Sequence, residues 1–327
     1  MTSFSDIKGQ KNAVRFLSNC LLKNRASGSY LFTGPSGTGR ALTAKAFITA
    51  LFCSNNTIAS EPCGKCLSCL KTEKRQHPDM FWVTPEKNKN IKVEEVRDIC
   101  AGFCLKPYES DFNVCVMEEA HMMTREASNA FLKMLEQPPA RSLFILITDQ
   151  KELLLPTIIS RCIEVRFSSV SVGDTVDIIR NLAEIEEEEA YFLAHFSQGS
   201  PGAALQMINE DVSGRKKKIL EMLTRIAEED NYDCLSWDKE GRDYLTEDLE
   251  MLIMFFREIA MARENLENVM FEKSIQDTSM YRFFGKYSIE KIYGIMERLI
   301  NIKLALSGNI NPKLAAQILP GAVRGKS

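Results

Sequence analysis

The sequence predicts an α/β domain built on a parallel sheet, followed by two helical domains. Three observations support this. Up to about residue 168, short apolar runs bounded by breakers alternate with segments of helical periodicity. Beyond that point the strand signal disappears and helical patterns take over. The first apolar run leads directly into a glycine-rich turn and then a helix. Short apolar runs suit strands buried on both faces of a parallel sheet. Their alternation with helices implies right-handed crossovers.

In residues 10–24, Ala13, Phe16, Leu17, Cys20 and Leu21 fall at i, i+3, i+4, i+7 and i+8, one face of a helix. Ser29 to Thr33 is a β-prone run, and Ala41 to Phe52 reads as a helix. Met80 to Thr84, Phe112 to Met117 and Leu143 to Thr148 are further strand candidates, and Cys162 to Phe167 is the last. Thr124 opens a helix carrying Ala127, Ala130, Phe131, Met134 and Leu135, which stops at Pro138-Pro139. From Val172 to Asn209 small helices are expected, with a break at Gly199-Ser200-Pro201-Gly202. The acidic run Glu186 to Glu189 suits a solvated helix start favoured by the helix dipole. From about 212 onward Leu249, Leu252, Ile253, Phe256 and Ile259 mark long helices. The expected division is 1–167, 168–211 and 212–327, with no internal repeat.

Composition narrows the function classes. Of 327 residues 45% are apolar and 26% charged, enough to bury a sizeable core and to exclude global disorder. With 41 Lys plus Arg against 44 Asp plus Glu, the net charge is −3. That excludes a histone-like basic coat and leaves room for a local nucleic-acid patch. No run of about 18 apolar residues predicts a membrane span, and Met1 to Asp6 does not open a signal peptide. Ten cysteines without an export signal point to thiols and metal in the cytoplasm, not to a disulfide scaffold.

Gly34-Pro35-Ser36-Gly37-Thr38-Gly39-Arg40-Ala41 follows a strand and precedes a helix, the context of a phosphate-binding loop. Glycines let backbone N–H groups turn inward around phosphate oxygens, and the helix N-terminus adds partial positive charge. Both glycines of the pattern are matched, but its last two positions are not. Arg40 replaces the compact lysine with a larger planar fork. Ala41 offers no oxygen where a hydroxyl would bind Mg²⁺. Thr43 stands about 200° further round the helix and should point elsewhere. Bound ATP or ADP therefore stays open, while hydrolysis is not expected. Val114 to Met117 followed by Glu118-Glu119 resembles an apolar strand ending in acids that hold Mg²⁺ and polarise water.

Cys53, Cys63, Cys66 and Cys69 have the spacing C-x9-C-x2-C-x2-C, with Pro62 and Gly64 supplying turns. Four thiolates suit a closed, tetrahedral, structural Zn²⁺ site, favoured here over an iron–sulfur centre or free thiols. His77 is a spare ligand candidate. Cys20, Cys100, Cys104, Cys115, Cys162 and Cys234 read as packing residues, and Lys71 to Arg75 as a small basic cluster on a solvent-facing helix.

Taken together these stretches resemble the AAA+ clamp-loader subunits of bacterial DNA polymerase III, above all the delta-prime branch. The resemblance runs through Phe4 to Gln10, Tyr30 to Pro35, the cysteine module, Thr124 to Pro139, Leu155 to Cys162 and Asn309 to Leu314. It implies an AAA+ P-loop domain with an inserted zinc module at about 53–69, a small helical lid and an all-α collar that oligomerises. Arg161 matches the family's arginine finger, with Ser160 and Cys162 supporting its geometry, and Thr148 matches a polar sensor. Catalytically active relatives carry a sensor arginine soon after a Gly-Ser pair, and none follows Gly199-Ser200 here. The resemblance thus implies a subunit that donates Arg161 in trans to a neighbour's ATP while a sliding clamp is loaded on primed DNA. The implied partners are gamma/tau and delta, with no membrane. An active gamma/tau-like motor is the alternative.

Overall fold

The computed structural model describes residues 2–55, 61–86, 89–228, 242–264, 283–308 and 310–324. Cys234 and Asn309 lie outside the described residues. By their contacts the residues form two compact units, one of Met1–Leu182 with Ser197–Ala203, the other of Ala183–Phe196 with Ala204–Ser327.

The first unit is built on five parallel strands in the order β2-β3-β4-β1-β5. They are β1 (Gly28–Thr33), β2 (Met80–Val83), β3 (Asn113–Met117), β4 (Ser142–Thr148) and β5 (Ile163–Arg166). Side chains alternate between the two faces of the sheet. Tyr30, Phe32, Val114, Val116, Leu143 and Ile145 join Ala13, Leu17, Phe47 and Ile48 in one core. These last four lie on α1 (Lys11–Leu22) and α2 (Arg40–Phe52). Leu31, Cys115, Met117, Phe144 and Leu146 join Val96, Phe103 and Phe131 in the other. There the sheet is covered by α4 (Val93–Phe103) and α5 (Arg125–Glu136). Phe144 is stacked on Phe103 at 4.7 Å and meets Phe131 edge-on at 5.5 Å. Each such ring stabilises the fold by about 1.5–3 kcal/mol.

The expected two-faced burial holds for β1, β3 and β4. The edge strands β2 and β5 are only partly buried, because each has a neighbour on one side alone. The short helix α3 (Leu67–Glu73) overlaps the helix expected at Lys71 to Arg75, while α6 (Pro156–Ile159) has too few residues to show a period in the sequence. Thr124 does cap α5, its Oγ1 accepting the Ala127 N–H at 3.2 Å. α7 (Val172–Leu182) completes the unit.

The remaining described helices are α8 (Glu187–Phe196), α9 (Pro201–Asn209), α10 (Val212–Glu228), α11 (Arg242–Arg263), α12 (Ile289–Ser307) and α13 (Pro312–Arg324). The first turn of α9 belongs to the first unit. In the second unit Phe255, Phe256 and Phe284 form an edge-on aromatic cluster, and Arg215 of α10 is bonded to Glu247 and Asp248 of α11. No described helix is long and apolar enough to cross a membrane.

Candidate nucleotide and metal sites

Parallel strands deliver their C-terminal ends to one edge of the sheet, and ligands of α/β folds bind there. β1 ends at Thr33, and the chain turns through Gly34, Gly37 and Gly39 at φ +137°, +71° and +93° into α2. A Cβ on Gly34 would lie 2.2 Å from the Phe167 carbonyl oxygen, so this turn admits only glycine. Thr38 Oγ1 donates to the Pro35 carbonyl at 2.8 Å. Gln10 ties the loop from one side, its Nε2 donating to the carbonyls of Thr38 (3.3 Å) and Ser168 (2.7 Å). Ser200 and Gly202 tie it from another. Ser200 Oγ donates to the Ser36 carbonyl at 2.8 Å and the Gly202 N–H to the Gly37 carbonyl at 2.9 Å.

Arg40 opens α2 and is only 9% exposed, and its Nη1 has no hydrogen-bond partner. Burial lowers its pKa, against the pull of Asp149, Glu118 and Glu119. These three acids stand just past the ends of β3 and β4, so the guanidinium faces the strand ends. Ala41 supplies no oxygen. The Thr43 hydroxyl is fully buried and donates to the Gly39 carbonyl at 2.8 Å, inside its own helix.

Glu118 is engaged within the chain. Its Oε1 accepts from Trp82 Nε1 at 2.6 Å and from Arg75 Nη2 at 3.0 Å. The Arg75 guanidinium also lies over the Trp82 ring, 4.1 Å from its centroid. Glu119 is exposed, at φ +48°. The sequence showed Arg75 only as part of the basic cluster and Trp82 only as part of a strand candidate, not as partners of Glu118. The only available signal was Trp82 in the strand beside β3. In the Lys71 to Arg75 stretch Lys74 and Arg75 are exposed and Lys71 partly so, as expected of a solvent-facing helix, but other members reach into the fold. Thr72 is fully buried, Glu73 accepts from Lys45 at 2.7 Å and from the Thr2 N–H at 2.9 Å, and Lys71 pairs with Glu109 at 2.5 Å.

Thr148, at the end of β4, is 1% exposed. Its Oγ1 lies 3.0 Å from His121 Nδ1 and accepts the Gln150 N–H at 3.0 Å. Arg161 follows α6, which begins with Pro156, and precedes the edge strand β5. Its Nη1 donates to the Thr157 carbonyl at 2.9 Å and its Nη2 pairs with Glu136 at 2.8 Å, leaving the side chain 35% exposed. Neither partner belongs to the glycine-rich loop. Ser160 is exposed, its Oγ donating to the Thr157 carbonyl at 3.1 Å. Burial pushes the Cys162 thiol up to about 12, as fits a packing residue.

Cys53 follows α2 directly, and α3 carries Cys69 in its first turn with Cys66 as its N-cap. The Sγ atoms of Cys53, Cys63, Cys66 and Cys69 all lie within 4.8 Å of one another. Tetrahedral zinc with Zn–S near 2.3 Å requires S···S of about 3.8 Å. The Cys63–Cys69 separation of 4.0 Å is close to that. The Cys63 N–H points at Cys53 Sγ (3.3 Å) and the Cys69 N–H at Cys66 Sγ (3.4 Å), the arrangement that supports thiolates. N–H groups of Lys65 and Cys66 bring the Cys63 thiol down to about 6. This donor set fits a structural zinc ion. His77 is not part of the group. Its buried ring is stacked on Phe52 at 4.2 Å, and burial lowers its pKa.

A family model described as DNA polymerase III, delta subunit matches residues 9–171, which include the loop, the cysteines and Arg161. The DNA polymerase III subunit gamma of Buchnera aphidicola (Baizongia pistaciae symbiont) is 29% identical over 280 residues, 83% of this chain and 73% of that protein. The chain belongs to the DNA polymerase III clamp-loader family. Within the family its likenesses run to both branches. The delta-prime subunit of Bacillus subtilis is 26% identical over 76% of this chain and 77% of its own length. The tau subunit of the same organism is 31% identical over 64% of this chain, which spans only 38% of tau.

Proposed function

We propose that this chain is a delta-prime-like, non-hydrolysing subunit of the clamp loader, and that Arg161 acts in trans on ATP held by a neighbouring ATPase subunit. The observation that carries the reading is the setting of Arg161. Its guanidinium is partly exposed at a sheet edge, and Thr157 and Glu136 hold it. A surface pair such as Arg161–Glu136 is worth about 0–1 kcal/mol. It orients the fork yet yields readily to a γ-phosphate. A fixed cation placed where charge develops in phosphoryl transfer is worth roughly 10³–10⁵ in rate.

The loss of local chemistry supports the same reading. Ala41 lacks the metal-binding hydroxyl, Arg40 replaces lysine, Glu118 is bound by Trp82 and Arg75, and the stretch Gly199-Ser200-Pro201-Gly202-Ala203-Ala204 carries no arginine. The proposal includes structural zinc on Cys53, Cys63, Cys66 and Cys69, and Thr148 as a polar sensor. It includes gamma/tau and delta as partners, and the sliding clamp and primed DNA as the substrates of the assembly. It also includes a cytoplasmic location and a division into P-loop, lid and collar domains near residues 167 and 211. A gamma/tau-like motor is the second reading, favoured by the likeness to gamma and tau proteins and by the acids Glu118 and Glu119.

The test is ATP turnover of a complex rebuilt with intact ATPase partners, comparing wild type with Arg161→Ala, and with this chain alone as control. The expected result is a silent isolated chain and a loss of clamp- and DNA-stimulated turnover in the variant, with assembly unchanged. ATP hydrolysis by the chain alone, together with no effect of Arg161→Ala, overturns the proposal in favour of the motor.

A further inference from the structure

We propose that the glycine-rich loop of this chain binds the phosphates of a nucleoside di- or triphosphate without a divalent cation, with Arg40 supplying the charge that Mg²⁺ supplies in an ordinary P-loop. This deepens the reading of the chain as a non-hydrolysing subunit and rests on it.

The residues present do not fit Mg²⁺. A P-loop holds that ion with a hydroxyl at the start of its helix and an acid at the end of the neighbouring strand. Ala41 has no oxygen at the first position. The nearby Thr43 hydroxyl is spent on the Gly39 carbonyl. At the second position Glu118 Oε1 already accepts from both Trp82 and Arg75, and Arg75 neutralises its charge. A cation there would have to share this carboxylate with the Arg75 guanidinium.

The same residues do fit an anion. The three glycines keep the loop in the left-handed turns that such a cradle needs. The thirteen-residue helix α2 begins at the loop, so its first N–H groups and its dipole face the cradle. Arg40 is the second, independent observation. It is more than nine-tenths buried, and its Nη1 is a donor with no acceptor. A buried donor left unmade carries its full desolvation cost. A phosphate oxygen at the loop would satisfy it through a charge-assisted bond. The planar fork also suits phosphate geometry better than a point charge does. The common chemistry of the two ligands is a β-phosphate seated in the loop.

The test is equilibrium binding of ADP, ATP and pyrophosphate to the full chain, by calorimetry. The buffer is cleared of metals with a resin rather than a chelator, so that the cysteine group is left intact, and is used with and without added Mg²⁺. The expected result is that ADP and ATP bind with affinities that agree within about threefold in the two buffers, because log affinity no longer carries a metal term. Arg40→Gln should weaken both at least tenfold, a factor corresponding to about 1.4 kcal/mol. Pyrophosphate binding as tight as that of ADP would mean that the loop reads phosphate alone and overturn the nucleotide assignment. Binding that requires Mg²⁺ overturns the proposal, as does no binding at millimolar nucleotide in either buffer. The comparison of buffers uses the wild-type chain and so does not depend on whether a variant folds. The Arg161 experiment reads ATP held by a neighbour. Failure here leaves that reading standing, and failure there leaves this binding result standing.

Discussion

Asp79→Asn should cost the first unit about 2–4 kcal/mol, a large share of the roughly 5–15 kcal/mol that holds a domain together. Asp79 is 3% exposed, and its two oxygens accept three backbone N–H groups from the loop between α4 and β3. Oδ1 takes Tyr108 at 2.5 Å, and Oδ2 takes Glu109 at 2.9 Å and Ser110 at 2.7 Å. Hydrogen bonds to a charged group contribute about 1.5–3 kcal/mol each, and neutral ones about 1. An amide keeps one acceptor oxygen and turns an NH₂ toward the remaining donor. One bond is lost outright, and the others lose their charge assistance. The assay is urea unfolding followed by Trp82 fluorescence in a Trp237→Phe background, since these are the two tryptophans of the chain. At a slope of about 1–3 kcal/mol per molar urea, the midpoint should fall by roughly 1–2 M. The gap also has a pH signature. Burial pushes the Asp79 pKa up, but the N–H groups of Tyr108, Glu109 and Ser110 outweigh it and hold the carboxyl below its ordinary 3.8. A depressed carboxyl stabilises fully above its unfolded value and loses that contribution as pH falls through its folded value. The gap between wild type and Asn should therefore stay level from about pH 7 to about pH 5 and close below about pH 4. A gap under about 0.5 kcal/mol at neutral pH, or one that widens with acid, would refute the reasoning.

Three further outcomes are expected. Gly37→Ala places a Cβ 2.2 Å from Ser200 Oγ at a residue with φ +71°, and should destabilise the first unit by about 1–3 kcal/mol in the same titration. Gly294→Ala, inside α12 with nothing within 4 Å of the added Cβ, should stabilise the second unit by about 0.4–1 kcal/mol. A fall in its thermal midpoint would count against the helix as described. Treatment with a strong chelator should release one zinc ion per chain, read with a colorimetric indicator, and leave all four thiols of the cysteine group reactive. Protein purified without chelator that carries no zinc would sink the structural-zinc reading.

The central strands were legible because burial on both faces writes an unbroken apolar run, as in Leu143 to Ile147. The cysteine group was legible because ligand spacing is local, and its four sulfurs do converge. The wiring of the site was not. Trp82 and Glu118 lie 36 residues apart, and Gln10 and Ser168 lie 158 apart. Only the parallel register of β2 with β3 brings the first pair together. The partners of the basic cluster were hidden for the same reason. Sequence shows charge on a short helix, but not that Lys45, Thr2, Glu109 and Glu118 wait across the fold for its members.

Two demands on the glycine-rich loop can be separated by residue. A loop kept only as a structural joint needs room for the segment that packs on it. Gly37 and Gly202 supply that room, since a Cβ on Gly202 would come within 2.8 Å of the Gly37 Cα. The Ser200 hydroxyl and Gly202 N–H bonds to the loop carbonyls then hold the joint. None of this involves Arg40. A joint alone would tolerate any residue at position 40 that fits a buried helix start, and an alanine there would remove an unpaired donor and raise stability. Asp149, Glu118 and Glu119 already attract the Arg40 guanidinium, but its Nη1 makes no hydrogen bond unless an acceptor arrives. Arg40→Ala is therefore expected to stabilise the ligand-free chain while weakening its hold on nucleotide, whereas Gly37→Ala should damage both. If Arg40→Ala destabilises the chain as Gly37→Ala does, the arginine belongs to the joint and the anion has no claim on it.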